Sequence, residues 1–221
     1  LWMGDSSGFE TLLDRAAALA RERGQVATLT EVLGIRAIHL ALFARRPSEA
    51  AVAAAEAAEL GRELGAGNIM VLPWAALAIV AAIQGRDDDA RELAARVLEH
   101  SRIHEVRLRT APARVAIALC EMNAGRWSGA YDELASLAES ADPAVGVTSP
   151  DRVETAVRAG LTEQAREALT VYEAWEAYAD SPAERSRLES CRAIVAGGDE
   201  AWPHFAAAVE LIDRARPFDR P

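Results

Sequence analysis

Histidine is the side chain best suited to proton transfer or metal binding near neutral pH, and the chain has four of them. They are His39, His100, His104 and His204. Only His100 and His104 have the i, i+4 spacing that places two imidazoles on one helix face, as many zinc sites require. Ser101 and Arg102 between them indicate that the helix ends there, and no HExxH pattern surrounds the pair. The sequence therefore predicts no metal site.

Nucleophilic catalysis has no recognisable motif in this sequence. A Gly-x-Ser-x-Gly elbow is absent, and neither Cys120 nor Cys191 has a readable pairing with a histidine. The wide separation of the two cysteines favours buried, reduced thiols, with a disulfide as the alternative. The carboxylates from Asp87 to Asp89 directly follow a turn, where they would stabilise the positive end of a helix. We therefore predict no catalytic residue and no enzymatic activity.

Arginine is the side chain best suited to an anionic ligand in this chain, because its guanidinium binds a carboxylate or phosphate through two N–H groups. Arg36 and His39 share one face of a predicted helix, and Arg107 and Arg114 share a face of another. Trp74 stands at a helix start, where it could border the same groove. These five residues are the candidate ligand-binding residues. The competing interpretation is that the arginines form salt bridges within the repeats or face water.

The elements that must position these residues follow an internal repeat. Each copy begins with an anchor residue, and a small residue usually stands five positions later. The anchors are Arg45, Gly85, Gly125, Gly160 and Gly197. The residues five positions later are Ala50, Ala90, Ala130, Ala165 and Trp202. Successive anchors are 40, 40, 35 and 37 residues apart, and a period of this size indicates stacked helical hairpins.

The composition favours helices over strands. Apolar residues make up 51% of the chain and aromatic residues only 5%, and the abundant alanine, leucine, glutamate and arginine are strong helix formers. Twelve positions after the anchors stand Ala57, Val97, Leu137, Tyr172 and Val209. Positions +5 and +12 share a helix face that stacking of neighbouring copies is expected to bury. We predict an all-α fold, a right-handed tetratricopeptide-like superhelix of about five helix-turn-helix repeats and about eleven helices.

Helical periodicity, capping residues and breaking glycines and prolines predict the element boundaries. The predicted helices are 5–23, 26–44, 47–64, 68 or 73 to 84, 90–100, 103–124 with a bend or restart at Pro112, one from the turn at 124–127 to about 140, 150–159, 162–179, 182–196 and 199–215. Residues 141–149 are predicted to form the longest loop. We expect one helical-repeat domain over 1–221, with a looser joint near 141–149, as a fragment of a larger chain.

The formal net charge is −10, and the chain has no lysine. An acidic chain without a basic stripe is expected to repel phosphate backbones, so we predict no direct nucleic-acid binding by this segment. No apolar run approaches the roughly 20 residues that a membrane span requires, and no signal peptide precedes the first helix. We therefore expect no membrane association and a cytoplasmic location.

Four segments of the sequence resemble one family of regulators. They are PDRVETAVRAGLTEQAREAL, EAWEAYADSP, CRAIVAGGDEAWPHFAAAVELI and RPFDR. Together they are similar to the region that precedes the DNA-binding domain in large ATP-binding LuxR-type transcriptional regulators, whose architecture MalT-like activators share. The upstream alternation of predicted helices and turns is similar too, and it extends the likeness over nearly the whole chain. It includes the segments QGRDDDARELAARVLEHSR and AGRWSGAYDELASL. Residues 150–220 carry its most specific part.

The resemblance implies a non-catalytic role for these residues. In that family the RPF-[DE]-R motif, matched here by Arg216 to Arg220, leads towards a helix-turn-helix domain. The GxxxxGK[ST] phosphate loop is absent, so ATP is implied only for the intact protein and no cofactor is expected in this fragment. The implied function is to sense an effector, and to relay that state to neighbouring ATPase and DNA-binding domains. The implied partners are a small-molecule or peptide inducer, or a protein.

Two other function classes remain open at this point. The first is a free-standing tetratricopeptide-type adaptor that binds a peptide or a protein. The second is an enzyme such as a helical hydrolase, which would need a deep pocket with convergent acid–base groups. Turnover that is lost on mutation of His39 or His104 would indicate the enzyme.

Overall fold

The computed structural model describes residues 6–65, 67–103, 110–139, 144–179 and 181–215. These ranges contain eleven α-helices, two short 3₁₀ helices and no β-strand. The α-helices are α1 (Ser6–Glu22), α2 (Val26–Leu42), α3 (Pro47–Leu64), α4 (Val71–Ile83), α5 (Asp87–Ile103), α6 (Ala111–Asn123), α7 (Trp127–Glu139), α8 (Ala144–Arg158), α9 (Thr162–Ala179), α10 (Pro182–Ala196) and α11 (Ala201–Ala215). The 3₁₀ helices are Gly67–Met70 and Gly198–Glu200. The all-α prediction is confirmed for this part of the chain.

The described residues form two compact units, one from 6 to 126 and the other from 127 to 215. The first unit contains α1 to α6, and its main core consists of side chains from α2 to α6. The second unit contains α7 to α11, and its core cluster joins α8, α9 and α10. Among the helices of the described ranges, none is both long and apolar enough to cross a bilayer.

Most predicted boundaries lie within a few residues of the observed ones, but the start of α8 was predicted wrongly. The helix begins at Ala144 rather than at Pro150, so Pro150 lies inside it. Proline in a helix interior costs about 3 kcal/mol because it removes a backbone hydrogen bond. Thr148 and Ser149, directly before it, are almost fully buried, and we attribute the helical state of this turn to their packing. Of the predicted loop, 144–149 is therefore helical, and 141–143 lies outside the described residues.

The repeat anchors share one backbone feature, a positive φ angle. All five have positive φ angles, from 55° at Arg45 to 75° at Gly160. Arg45, which stands in the place of a glycine, is the one residue other than glycine in the described ranges that has a positive φ. After each of the first four anchors the next N–H bonds back to the preceding helix, as where the Arg86 N–H donates to the Ala81 carbonyl at 2.9 Å. The sequence repeat therefore corresponds to a repeated positive-φ turn, although Gly197 differs in ψ, which is 172°.

Replacing Arg45 by glycine is expected to raise the free energy of unfolding by about 0.5–1 kcal/mol. A side chain with a Cβ is strained at positive φ, and glycine removes that strain. The reverse change, Gly85→Ala at a φ of 73°, should lower stability by a similar amount and serves as the control. Urea denaturation followed by circular dichroism measures both. A loss of stability in Arg45→Gly would contradict the strained-anchor interpretation.

The predicted buried face is confirmed in four of the five repeats. The residues at positions +5 and +12 that are at most 1% exposed are Ala50, Ala57, Ala90, Val97, Ala130, Leu137, Ala165 and Tyr172. Helices α3, α5 and α9 each pack against the helix before and the helix after them, and α7 packs against α8. In the last repeat the expectation was wrong, because Trp202 and Val209 are exposed. Within the described residues no helix follows α11 to cover them.

Candidate functional site

Arg36 and His39, two of the predicted ligand residues, contact carboxylates of the preceding helix. Arg36 donates from Nε to Oδ1 of Asp14 at 3.0 Å. The Nε2 atom of His39 lies 3.3 Å from Oε1 of Glu10. The other Glu10 oxygen accepts a bond from Nη2 of Arg46 at 2.6 Å. These contacts tie α2 and its following turn to α1, and the Arg36 contact agrees with the interpretation of the arginines as salt-bridge partners within the repeats.

His39 is buried between two aromatic rings. The Phe9 ring meets it edge-on with centroids 5.1 Å apart, and the Phe43 ring stacks on it at 5.2 Å. Burial lowers the pKa of His39, and the hydrogen bond and charge of Glu10 oppose that effect without cancelling it. The imidazole is therefore neutral at pH 7 and enclosed, which suits a packing role better than contact with a ligand in solution.

The buried His39 predicts how stability depends on pH. Its pKa is lower in the folded chain than the ordinary value of 6.5, so the unfolded chain takes up the proton more readily. The stability that neutral His39 provides is complete above about pH 6.5. It falls as the pH drops through 6.5 towards the lower pKa that His39 has in the folded chain. Urea denaturation at several pH values between 5 and 8 should show this decline. The decline should be shallower in His39→Gln, and an equally steep one in that variant would place its origin elsewhere.

Trp74 and Arg114, two of the other three predicted ligand residues, lie on helices α4 and α6. Trp74 lies on α4, partly buried against the core cluster of the first unit. Arg114 lies on α6 and is partly buried. Both stand eleven residues before an anchor, so they occupy the same repeat position on helices α4 and α6, which pack together. Arg107, like His104, lies outside the described residues.

Sequence reasoning missed Arg152, the most unusual charged side chain of the second unit. This α8 residue is only 5% exposed. Its Nε and Nη1 atoms are buried without a hydrogen-bond partner in the described part of the chain. Its Nη2 atom is 4.0 Å from Oε1 of Glu167, too far for a hydrogen bond. The guanidinium also lies over the ring of Tyr131, 6.0 Å from its centre.

The repeat register contains the signal that could have identified Arg152. It stands eight residues before its anchor, and the same position is occupied by Leu77 and Ile117 in the two preceding copies. Both of those residues are apolar and pack against the core of the first unit. A buried arginine is costly unless its donors are matched, and its planar fork fits a carboxylate or a phosphate. Arg152 is therefore the strongest candidate for an anion-binding side chain.

The acidic cluster at the start of α5 holds neighbouring helices together. Oδ1 of Asp87 accepts a bond from the Asn123 amide at 2.9 Å, and that amide also bonds the Ala82 carbonyl at 2.9 Å. Asp89 pairs with Arg86 at 2.7 Å. Where the chain is described, no group of three or more histidine, cysteine, aspartate or glutamate side chains has a metal-binding arrangement. These contacts give the cluster a structural role at a helix start and a helix–helix contact.

Both cysteines are free and buried, in agreement with the reduced-thiol prediction. Burial raises the pKa of Cys120 to about 11 and the pKa of Cys191 to about 12. Both thiols are therefore protonated at pH 7. Because the thiolate is the nucleophile in cysteine chemistry, neither residue is poised for covalent catalysis.

Comparison of the chain with protein-family models, with curated proteins and with solved structures gives no match. The resemblance to LuxR-type regulators therefore depends on the quoted segments of this sequence alone.

Proposed function

We propose that this chain is a non-catalytic helical-repeat scaffold that senses an effector and relays its binding, as in LuxR-type transcriptional regulators. Its proposed architecture is a right-handed superhelix of the tetratricopeptide kind. The observation that carries the proposal is the shared positive-φ anchor, followed in four successive copies by a fully buried pair at +5 and +12. In repeat proteins each unit is stabilised mainly by its neighbours. A change in one repeat therefore alters the packing of the next, which is the property that a relay requires.

An anionic effector is the class that the side chains favour. Arg152 offers two buried donors without a described partner, whereas Arg36 is already bonded to Asp14. A small carboxylate, a phosphate or an acidic peptide would supply the missing acceptors and offset the cost of burying the guanidinium. ATP, implied by the resemblance for the intact protein, would bind in another domain, since this chain has no phosphate-binding loop.

A thermal-shift screen of residues 1–221 tests effector sensing. The compounds are sugar acids, sugar phosphates, nucleotides and short acidic peptides, with neutral sugars as a control. A ligand present at 100 times its Kd stabilises the folded state by about 2.7 kcal/mol. The expected result is a rise in Tm with an anionic compound that disappears in Arg152→Met. Absence of any shift across the anionic set would count against a sensor function for this segment.

The regulator assignment is tested by the coding sequence on either side of these residues. A nucleotide-binding domain upstream and a helix-turn-helix domain downstream are expected in one reading frame. If neither is present, the free-standing adaptor becomes the better proposal. One observation favours that second candidate: α11 exposes a continuous apolar row, as a protein-binding helix does.

A further inference from the structure

The guanidinium of Arg152 lies next to an exposed carboxylate of helix α9. Its Nη2 atom is 4.0 Å from Oε1 of Glu167, and the Glu167 side chain is 71% exposed. The Nε and Nη1 atoms of Arg152 are buried and have no partner in the described residues. The Glu167 side of the guanidinium is therefore the side from which a solute in water can approach it.

The repeat register shows that side chains at these two positions can form a direct hydrogen bond. Arg152 stands eight residues before its anchor, and Glu167 stands seven residues after it. In the next copy the same positions hold Glu189 and His204. There Oε2 of Glu189 lies 2.7 Å from Nδ1 of His204. The hairpin geometry thus allows a closed pair at these positions, whereas the Arg152 pair is open in the structure.

Glu167 has no basic partner on its own helix. Its counterpart in the repeat of α4 and α5 is Glu92, which pairs with Arg96 one turn later at 2.6 Å. No arginine stands three or four positions from Glu167 in the sequence. Arg152 is therefore the cation with which the Glu167 carboxylate can pair.

We propose that Glu167 is a built-in competitor for the anion at the Arg152 site. Its carboxylate exchanges between the open position of the structure and a closed position, in which it accepts hydrogen bonds from the guanidinium. An anion binds only the open state and keeps the carboxylate in water. An ion pair with one exposed partner is weak, so an anion that accepts two hydrogen bonds from the guanidinium can displace it.

This inference rests on the proposed anion site and adds the residue that regulates its affinity. The apparent Kd of a ligand equals its intrinsic Kd divided by the fraction of the chain in the competent state. If the pair is closed for about four-fifths of the time, removal of the carboxylate lowers the apparent Kd about fivefold. Because the pair joins α8 to α9, its opening also transmits binding from one helix of the repeat to the other.

Titration of residues 1–221 with inorganic phosphate tests the competitor, with acetate as a carboxylate probe. The rise in Tm at constant ionic strength gives the apparent Kd of each variant. Glu167→Gln should bind at least about fivefold more tightly than the unmodified chain. Adding Arg152→Met should abolish the response in both backgrounds, which separates site binding from general salt effects on stability.

The matched control is Glu163→Gln on the same helix. Glu163 lies one turn earlier, and its side chain is 83% exposed. The change removes the same charge, but Glu163 already pairs with Arg166 and does not contact Arg152. Because exposed charges are screened by water and salt, this variant should change the apparent Kd by less than about twofold.

Glu167→Asp separates direct contact from long-range repulsion. Aspartate keeps the charge but is one methylene shorter, so its carboxylate cannot reach the guanidinium to close the pair. We expect this variant to bind the anion at least about twofold more tightly than the unmodified chain. Repulsion alone would leave its affinity at the level of the unmodified chain and would overturn the competitor role.

The remaining outcomes distinguish the competitor from the anion site itself. An Arg152-dependent response that Glu167→Gln leaves unchanged would overturn the competitor and leave the anion site in place. Equal tightening in Glu163→Gln would also overturn it, because the effect would then be general electrostatics. Absence of any response in the unmodified chain and in both Glu167 variants would overturn both inferences. A response that appears only in the Glu167 variants and requires Arg152 would support both.

Discussion

Replacing Tyr172 by alanine is expected to lower the free energy of unfolding of the second unit by about 3–5 kcal/mol. Tyr172 is fully buried and is the largest of the fully buried side chains in the described residues. Its ring stacks on Trp175 at 5.9 Å, and its hydroxyl donates to Oε2 of Glu184 at 2.8 Å. Alanine would remove the ring that joins α9 to α10 and would leave a cavity between them. Burial also raises the pKa of Tyr172 far above its usual value, so the hydroxyl stays protonated.

The matched control for this change is Tyr172→Phe, which keeps the ring and removes the hydroxyl. We expect it to cost about 1.5–3 kcal/mol, the usual contribution of a hydrogen bond to a charged group. Glu184 retains its ion pair with Arg187 at 2.6 Å. Urea denaturation followed by circular dichroism measures both variants, and hydrogen exchange should localise the loss to α8, α9 and α10. A loss below about 1.5 kcal/mol in Tyr172→Ala would contradict the claim that this ring is central to the core.

The repeat could be predicted because local sequence determines it. A positive φ requires a glycine or costs strain, so the anchors are visible residue by residue, even where Arg45 replaces glycine. The start of α8 could not be predicted in this way. Proline is the strongest local signal for a helix beginning, and only tertiary burial of Thr148 and Ser149 accounts for its place inside the helix.

The candidate site could be predicted less well, because ion pairs depend on how helices pack. The sequence correctly placed Arg36 and His39 on one helix, but their partners lie 22 and 29 positions earlier, on α1. Nothing in the local pattern specifies which carboxylate will face them. The exposure of Trp202 was missed for a related reason, since its register predicts burial only where another helix follows.

Arg152 shows how the repeat register can identify a functional candidate that local sequence does not. A charged residue in a position held by Leu77 and Ile117 elsewhere breaks the pattern that stabilises the core. Natural sequences break such local rules mainly at functional sites, at a cost in stability. This reasoning connects the buried guanidinium to the proposed anionic effector, and it predicts that stability and binding will change in opposite directions.

Replacing Arg152 by leucine is therefore expected to raise the free energy of unfolding by about 1–4 kcal/mol, while abolishing the response to an anionic effector. Replacing a buried ionic group by a well-packed apolar one is often stabilising by this amount. Arg158→Leu on the same helix is the matched control, because Arg158 is exposed, lies 4.5 Å over the Trp127 ring and pairs with Glu154. That change should cost no more than about 1 kcal/mol.

Urea denaturation of the two leucine variants, with and without the best anionic compound, separates the alternatives. Arg152→Leu should be more stable than the unmodified chain and should show no ligand-dependent shift, whereas Arg158→Leu should keep the shift. A loss of stability above about 1 kcal/mol in Arg152→Leu would mean that favourable interactions in the folded chain already offset the cost of burying the guanidinium. The two unmatched donors would then be a structural feature of α8 and would not indicate a binding site.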